Sequence, residues 1–569
     1  MMITLVLSSN MKKMLKDNVL VRKLTGIDAA GNINILLTDK TGTLTKGTLD
    51  IIGFLDGKGE DLDNSNTIIK DMINQSIFIN NESNYDKENN KIIGGNITDK
   101  ALLSFVKEYK IDYKLIEQIP FNSKNKYMYT KIKYNKETVN FLKGAFETVI
   151  TYCNSYYDKY GNIHMLNNKN EIEKRIKELS KSKLRVIALA ISHNRETMNN
   201  MTLLGFVLLR DDIRENVKEG IDLVKKASIQ VIMITGDNKD TAVSIAKELN
   251  LIEEDDIILT SKKFNDMKDE EIIPILSKIK VIARALPQDK GRLVKIAQKM
   301  NLVVGMTGDG VNDSIALKKA DVGFAMGSGT EVAKEASDIV ILDNNFYSIT
   351  NAILYGRTIF KSIRKFIICQ LTINLCSLFV SIIGPFIGIP VPITVIQMLW
   401  INMIMDTLSG LAFSYEPALK EYMYEVPKSK NENIINKYML NQIIVIGLYS
   451  SVLCIFFLKS NLIKSIYKEN ILTAFFGLII FISIFNSFCA RTHRLNILGN
   501  ITKNKVFIII ISFITIMQIY LIYKGGELFR TNGLSLKEFF IMLLISLTIF
   551  PIDLIRKIIL KRKLDKLGV

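Results

Sequence analysis

Asp39-Lys40-Thr41-Gly42-Thr43-Leu44-Thr45 directly follows the apolar run Ile33–Thr38, INILLT. A short Ile/Leu-rich run that ends in an aspartate and a glycine-containing loop reads as a buried strand with a carboxylate at its exit. Five further runs have the same character: LLGFVLL from Leu203, IQVIMITGD from Ile229, IKVIARA from Ile279, LVVGMTGDG from Leu302 and VGFAM from Val322. Amphipathic stretches such as Asp240–Leu249 and Asp289–Met300 lie between several of them. Continuous apolar strands alternating with helices predict a parallel sheet covered on both faces. Ligands of such sheets bind outside the carboxyl ends of the strands, which is where TDKTG, TGDN and TGDGVND fall.

An aspartate at such a strand end can act as a covalent nucleophile toward a phosphoryl group. The reaction needs positioning and charge neutralisation more than anything else. Metaphosphate-like oxygens call for a lysine, hydroxyl or amide donors, and a divalent cation. The sequence offers each at a strand or helix end: Thr235, Gly236 and Asp237; Lys290 opening a helix; and Asp309, Asn312 and Asp313 as oxygen donors suited to Mg²⁺. A lone DKTG is an everyday turn. Three such strings in order, each at a strand end, are not.

The surrounding chain divides into two kinds. Up to about Tyr347 it is mixed and charged; beyond about Phe366 it holds long, nearly charge-free apolar runs. Six of these are long enough to cross hydrocarbon as helices: Phe366–Ile389, Pro392–Phe413, Met439–Leu458, Ile471–Ala490, Val506–Tyr523 and Phe539–Ile555. Lys420, Lys428 and Lys430 follow the second run, and Arg491, Arg494 and Lys503 lie at or after the end of the fourth, so these loops and the C-terminus are expected on the cytoplasmic side. Lys464 and Lys524 on the opposite side make that bias modest. From about Thr45 to Leu203 the chain turns polar and Asn/Lys-rich with short strand patterns, as expected of a second domain inserted into the first.

Composition excludes several classes. Among 569 residues, 74 Lys and Arg against 57 Asp and Glu leave a net charge of +17, a balance that raises the question of a polyanion partner. No zinc-finger, RNP or helix-turn-helix signature is present and the lysines are spread along the chain, so no nucleic-acid partner is expected. Basic residues such as Arg556, Lys557, Lys561, Arg562 and Lys563 instead flank an apolar run, as on a membrane surface bearing anionic lipid. Five cysteines without a CxxC pair and three scattered histidines argue against a disulfide framework or a zinc site.

Together DKTGTLT, TGDN and TGDGVND resemble the P-type ATPases, ion pumps that form an aspartyl-phosphate, and the similarity runs along essentially the whole chain. It implies an α/β haloacid-dehalogenase-like Rossmannoid phosphorylation domain with an inserted α+β nucleotide-binding domain, followed by an all-α transmembrane bundle of six helices. The expected divisions are 1–20, the end of a membrane helix and stalk; 21–45 and 205–350, the phosphorylation domain; 46–204, the nucleotide-binding domain; and 351–569, the transmembrane domain. By this resemblance Asp39 is the phosphorylated nucleophile and Lys290 binds the phosphoryl group. Asp39, the Thr41 carbonyl and Asp309 hold Mg²⁺, supported by Asp313 and Asn312. Thr235, Gly236 and Asp237 face the transferred phosphate and the ATP. In the inserted domain Asp99 stands where the family usually has Glu near the adenine, Phe121 resembles the stacking phenylalanine and Lys143 the pocket lysine. Arg185, Arg214 and Arg284 resemble the phosphate-side arginines. Phe146 replaces a common proline, a mild departure.

For the ion, QMLWINMIMDTLSG sets Asn402 and Asp406 four residues apart, which predicts one shared helical face, and Asn374 and Ser377 share a face of the preceding span. Asp406 is the one acid well inside an apolar run, a costly position that calls for a cation or polar cavity. Carboxylate and amide oxygens without thiolates suit a hard cation such as Ca²⁺, and LWINMIMDT resembles the plasma-membrane-type calcium-pumping branch. Ser483 stands where some reticulum-type pumps have an acid, so one calcium site is expected. The family precedes DKTGTLT with an actuator domain bearing a TGE loop and with further membrane helices. Of these, only the tail of the last membrane helix is expected here, as MMITLVLSSNMKKMLKDN, so the chain alone is expected to bind ATP without rapid turnover or transport. A pump for Na⁺, Mn²⁺ or H⁺, a non-transporting nucleotide-binding membrane protein, and a split or truncated gene product completed by a separate N-terminal chain stay open at this point.

Overall fold

Ile35–Asp39 occupies the middle of an eight-stranded sheet, and the chain order of its neighbours explains why. A computed structural model describes residues 2–567 apart from 63–66, 87, 89, 107–108, 110, 123–124, 136, 168, 182–183, 194–197 and 431. The strands are β1 (Val19–Val21), β2 (Ile35–Asp39), β3 (Gln230–Thr235), β4 (Ile257–Thr260), β5 (Ile279–Ala283), β6 (Val304–Gly308), β7 (Val322–Met326) and β8 (Ile339–Ile341). Their order is β1-β8-β7-β6-β2-β3-β5-β4, and every pairing is parallel except β1 with β8. Because β2 lies between β3 and β6, the strand order reverses at Asp39, the topological position at which open α/β sheets bind ligands. Register sets Asp39 beside Ile234 of β3 and Thr38 beside Thr307 of β6. The loops leaving β3 and β6 therefore emerge next to Asp39. Helices such as Lys239–Glu248 and Pro287–Lys299 cover the sheet, with an apolar core on each face.

The second sheet is built around Met201–Arg210, Arg185–His193, Glu137–Gly144 and Tyr127–Tyr134, with Asp50–Asp56 also pairing Met201–Arg210. One sequence expectation is corrected here. LLGFVLL does not join the parallel sheet; it pairs antiparallel with Asp50–Asp56 and Arg185–His193, and its strand straddles the expected division at 204/205. Leu204, Val207 and Leu209 enter one core of this domain while Leu203, Phe206 and Leu208 enter the other. A central antiparallel strand with both faces covered carries the same unbroken apolar pattern as a parallel one.

Among the described residues, six helical segments are long and apolar enough to cross a membrane: 346–387, 395–414, 437–459, 461–491, 505–524 and 536–563. The first begins earlier than the apolar run suggests. Helix Phe346–Ile383 starts in the core beneath the parallel sheet, through Phe346, Ile349, Ala352 and Ile353, and continues without interruption into the bundle across the expected division at 350/351. The N-terminal helix Met2–Lys16 lies against the bundle, where Asn10 donates to the Ser414 carbonyl at 3.1 Å. The second span is not a regular helix. Trp400–Met405 is a π-helical stretch in which the Asp406 N–H donates to Ile401, five residues back. The extra residue in that turn rotates the later part of the helix relative to the earlier part. Asp406 is buried whereas Asn402 is exposed, so the shared face predicted from a spacing of four is not formed.

The sheet domain meets the long helix at two glycines. A Cβ on Gly356 would stand 2.4 Å from the Gly31 nitrogen, and one on Gly31 would stand 2.5 Å from the Gly356 carbonyl carbon. Next to this contact Arg357 donates to the carbonyls of Gly31 (3.3 Å), Ala227 (3.0 Å), Tyr422 (2.7 Å) and Glu425 (2.7 Å). One buried side chain thus ties two parts of the sheet domain to the loop after the second span. Substituting Gly356→Ala forces backbones apart and is expected to cost about 1–3 kcal/mol, seen as a lower unfolding temperature of the detergent-solubilised chain. Unfolding at the wild-type temperature would contradict this tight contact.

Candidate active site

Asp39 leaves β2 on extended backbone, and its Oδ1 accepts the Lys40 N–H at 2.9 Å. The chain then turns through Thr41 and Gly42, with Gly42 at a φ of +72°. A side chain is excluded at Gly42 twice over: the φ is left-handed, and a Cβ would lie 1.8 Å from Asp309 Oδ2. Asp309 can approach the DKTG loop only because residue 42 is glycine.

Lys290, on the first turn of helix Pro287–Lys299, reaches Asp39 Oδ2 at 3.2 Å and Asp313 Oδ1 at 2.5 Å. Asp313 Oδ2 accepts the N–H groups of Asp309 (3.3 Å) and Gly310 (3.2 Å), which folds the TGDGVND loop around it. Carboxylate oxygens of Asp39, Asp309 and Asp313 lie within 4.8 Å of one another. At an effective dielectric of about 20, each such pair repels by at least ~3 kcal/mol. Burial, foremost, pushes Asp39 up to about 7; Lys290 opposes this and the Asp313 charge adds to it. Asp309 is also raised, by burial and then by Asp313. Burial alone would lower Lys290, but Asp39 and Asp313 outweigh it and hold the ammonium charged.

Three carboxylates around one ammonium leave a formal charge of −2 among hard oxygen donors, and Gly42 keeps the approach between the DKTG loop and Asp309 clear. These residues fit a Mg²⁺ ion. Thr41 sits in the turn beside them, Asp309 faces the turn, and Asn312 is exposed at the mouth. Thr235 Oγ1 accepts the Asp237 N–H at 3.1 Å, and Gly236 has open space where a side chain would project. The strand end therefore presents small groups toward Asp39.

Two residues not anticipated from the sequence complete the loop. Lys40 pairs with Asp237 at 2.9 Å and with Asp211 at 3.2 Å, and these carboxylates outweigh the effect of its burial. Asp211 also accepts the Thr45 hydroxyl (2.6 Å) and the Gly47 N–H (3.0 Å), holding the end of DKTGTLT. The signal was the acid pair in RDDIREN at a strand exit; which lysine it would meet depends on the fold. Arg214 donates to the carbonyls of Gly42 (2.9 Å), Thr45 (2.9 Å) and Lys46 (3.2 Å), so it clamps the loop. Arg284 takes a left-handed φ of +53° and gives its N–H to the Asp237 carbonyl at 2.8 Å.

A cavity of about 460 Å³ begins at Lys40, Thr41, Asp211 and Asp237 and runs between the two sheet domains. A second, of about 580 Å³, continues it into the inserted domain, where Asp99, Phe121 and Lys143 line it. Ile97, Arg185 and Val186 border both, so Arg185 stands at the junction, while neither Arg214 nor Arg284 lines either cavity. Phe121 is 40% exposed and offers an apolar ring to this cavity. Lys143 is buried and paired with Asp99; desolvation lowers its pKa, and Asp99 opposes that. The cleft thus runs from an aromatic and cationic recess to Lys40 and Thr41, the residues that directly follow Asp39.

In the bundle, Asp406 is buried with Oδ2 free of any hydrogen-bond partner among the described residues, and Gln370 bonds to its side chain. Asn374 and Asn402 are both exposed, so the structure does not enclose them with Asp406.

Family models match three parts of the chain: P-type ATPase, cytoplasmic domain N, over 69–216; haloacid dehalogenase-like hydrolase over 293–353; and cation transporting ATPase, C-terminus, over 390–559. Calcium-transporting ATPase 12, plasma membrane-type, of Arabidopsis thaliana is 34% identical over 93% of this chain and 55% of its own length. Calcium-transporting ATPase PAT1 of Dictyostelium discoideum is 33% identical over 99% of this chain and 56% of its own. Probable calcium-transporting ATPase 6, plasma membrane-type, of Oryza sativa subsp. japonica is 34% identical over 98% and 58%. The chain thus spans somewhat more than half the length of these relatives, and the matches give no support to a separate N-terminal chain. Family models on three successive parts, with relatives matched along nearly all of it, make this multi-pass membrane protein a member of the P-type ATPase family, similar to the plasma-membrane-type calcium-transporting ATPases.

Proposed function

We propose that the chain takes part in ATP-driven cation transport, Ca²⁺ first among the candidates, through an aspartyl-phosphate on Asp39. The observation that carries this reading is the position of Asp39: a strand-end carboxylate paired with Lys290, directly preceding Lys40 and Thr41, which line a cleft that leads to Phe121 and Lys143. An adenine stacked on Phe121 puts the phosphate chain past Arg185 toward Lys40 and Asp39. An Asp39 oxygen attacks the γ-phosphorus, the bond to the β–γ bridging oxygen breaks, and ADP leaves with that oxygen. Lys290 stays within reach of the oxygens that gain charge, and the Thr235 loop offers its small groups on the same side. Mg²⁺ bound among Asp39, the Thr41 carbonyl and Asp309 supplies the positive charge that neutralises phosphoryl oxygens. Asp313 orients Lys290, while Asn312 and Asp237 border the approach.

The relatives' names motivate Ca²⁺, and Asp406 supplies a hard-oxygen ligand inside the bundle. The Gln370 amide beside it is a further donor; Asn374 and Asn402 join such a site only from positions now exposed. The uninterrupted helix Phe346–Ile383 supports mechanical coupling, because it starts in the core below Asp39 and carries Gln370 and Asn374.

Incubated with γ-labelled ATP and Mg²⁺, the chain is expected to form an acid-stable, hydroxylamine-labile phosphoprotein that Asp39→Asn abolishes and chelation of Mg²⁺ prevents. Label that persists in Asp39→Asn would assign the nucleophile elsewhere. Phe121→Ala is expected to weaken ATP binding roughly tenfold, the scale of one lost base–aromatic stack, measured by displacement of a fluorescent ATP analogue. Phosphorylation should depend on Ca²⁺ in the wild type and lose that dependence in Asp406→Asn. A response to Na⁺, Mn²⁺ or protons in place of Ca²⁺ would reject the calcium assignment.

A further inference from the structure

The fifth spanning helix, Lys505–Lys524, turns a buried stripe into the bundle that is apolar from Phe507 to Ile522 except at Gln518. Gln518 is wholly buried, and neither its Oε1 nor its Nε2 has a hydrogen-bond partner among the described residues. At a protein surface water satisfies such an amide; inside a spanning bundle it is costly to leave unpaired. A leucine would fill the same place in the stripe without that cost.

The neighbouring spans show what faces it. The rings of Phe507 and Phe413 lie 5.8 Å apart, and Asn504 donates to the Ala412 carbonyl at 3.2 Å. At the far end Gln397 donates to the Phe529 carbonyl at 2.6 Å. The second and fifth spans therefore run side by side in opposite directions. Asp406 precedes Phe413 by two turns on the regular helix Asp406–Ser414, so both lie on nearly the same face. Two turns from the Phe413–Phe507 contact, about 10 Å, reach Asp406 on one helix and Ile514 on the other. Gln518 is the next residue of its stripe, about 6 Å farther along. On the fourth span a Cβ at Gly477 would stand 3.1 Å from Ile522 Cδ1, which sets the apolar run Leu478–Ile482 beside Gln518. The second span is thus the side from which a polar partner comes.

Asp406 Oδ2 is buried and unpartnered as well, and Gln370 bonds to the Asp406 side chain. One carboxylate and one amide fall well short of the roughly six to eight oxygens that Ca²⁺ takes. Two unpartnered polar side chains one turn apart, on facing stripes of two helices, suit a cation held between those helices. Buried polar groups inside spanning helices characteristically mark such ion paths. We infer that Gln518, given Asp406 as a ligand of the transported cation, supplies a further amide oxygen to that cation from the fifth span. A neutral oxygen at this place raises affinity for a hard cation without adding a second buried charge.

The test uses the full chain in detergent, without ATP, and measures equilibrium binding of radioactive Ca²⁺ together with the unfolding temperature. The wild type should bind saturably and Asp406→Asn should lose binding. Gln518→Leu should bind roughly tenfold more weakly, the scale of one lost contact to a charged group. Its unfolding temperature in the absence of Ca²⁺ should be no lower than that of the wild type, because an unpaired amide has been removed. Gln442→Leu, which removes another buried amide with an unpartnered Nε2 on helix Lys437–Lys459, should keep wild-type affinity. Should Gln518→Leu fail to fold, Gln518→Glu at alkaline pH keeps an oxygen and adds charge, and should bind Ca²⁺ more tightly than the wild type. Loss of binding in Asp406→Asn with none in folded Gln518→Leu would overturn the role of Gln518 and leave the calcium reading standing. An affinity loss that Gln442→Leu matches, or that comes with a lower unfolding temperature, would assign the effect to packing and overturn it too. A wild type that binds no Ca²⁺ would overturn the calcium reading and the role of Gln518 together, as would Gln518→Glu binding no more tightly the role alone.

Discussion

Three carboxylates held within 4.8 Å of one another at the ends of two neighbouring strands are the constraint around which the catalytic half is arranged. In water such groups would disperse. Here register forces Asp39 and the β6 exit together, and the loops must then manage the repulsion. Lys290 does so for Asp39 and Asp313, and Lys40 separately gathers Asp211 and Asp237. The cluster remains short of positive charge. A site poised in this way gains from a divalent cation and from a phosphoryl group whose charge that cation shares.

The same half is joined to the membrane by a contact that tolerates no added atoms. Gly31 and Gly356 bring backbone against backbone, and Arg357 binds four carbonyls from three separate segments around that point. Such a junction transmits displacement instead of absorbing it, because a close-packed contact has no slack to take up. Movement of the Asp39 sheet therefore bears directly on the helix that carries Gln370 and Asn374.

The strings DKTGTLT and TGDGVND were legible in the sequence because backbone geometry and side-chain chemistry coincide in them. DKTGTLT needs a glycine where Asp309 approaches, and TGDGVND carries its acids on a loop too short to place them elsewhere. The inserted domain was legible as a change of composition, but its edge was not. LLGFVLL reads identically whether it is parallel or antiparallel, because burial on both faces erases the alternation that would distinguish the two. The arrangement of polar side chains inside the apolar spans was the least legible. A spacing of four implies one face only in a regular α-helix, and the π-helical stretch at Trp400–Met405 turned Asn402 away from Asp406.

By itself, the sequence determined that the three acid-bearing strings lie at strand ends and that six apolar stretches come after them, since strand exits and membrane-length runs are local patterns. The tertiary structure alone decided which of those residues meet. Lys40 with Asp211, Arg214 with the Gly42 loop, and Arg185 at the junction of two cavities are pairings across many residues of chain. Such contacts are set by strand order, by register and by one extra residue in a helical turn, none of which leaves a periodic mark on the chain.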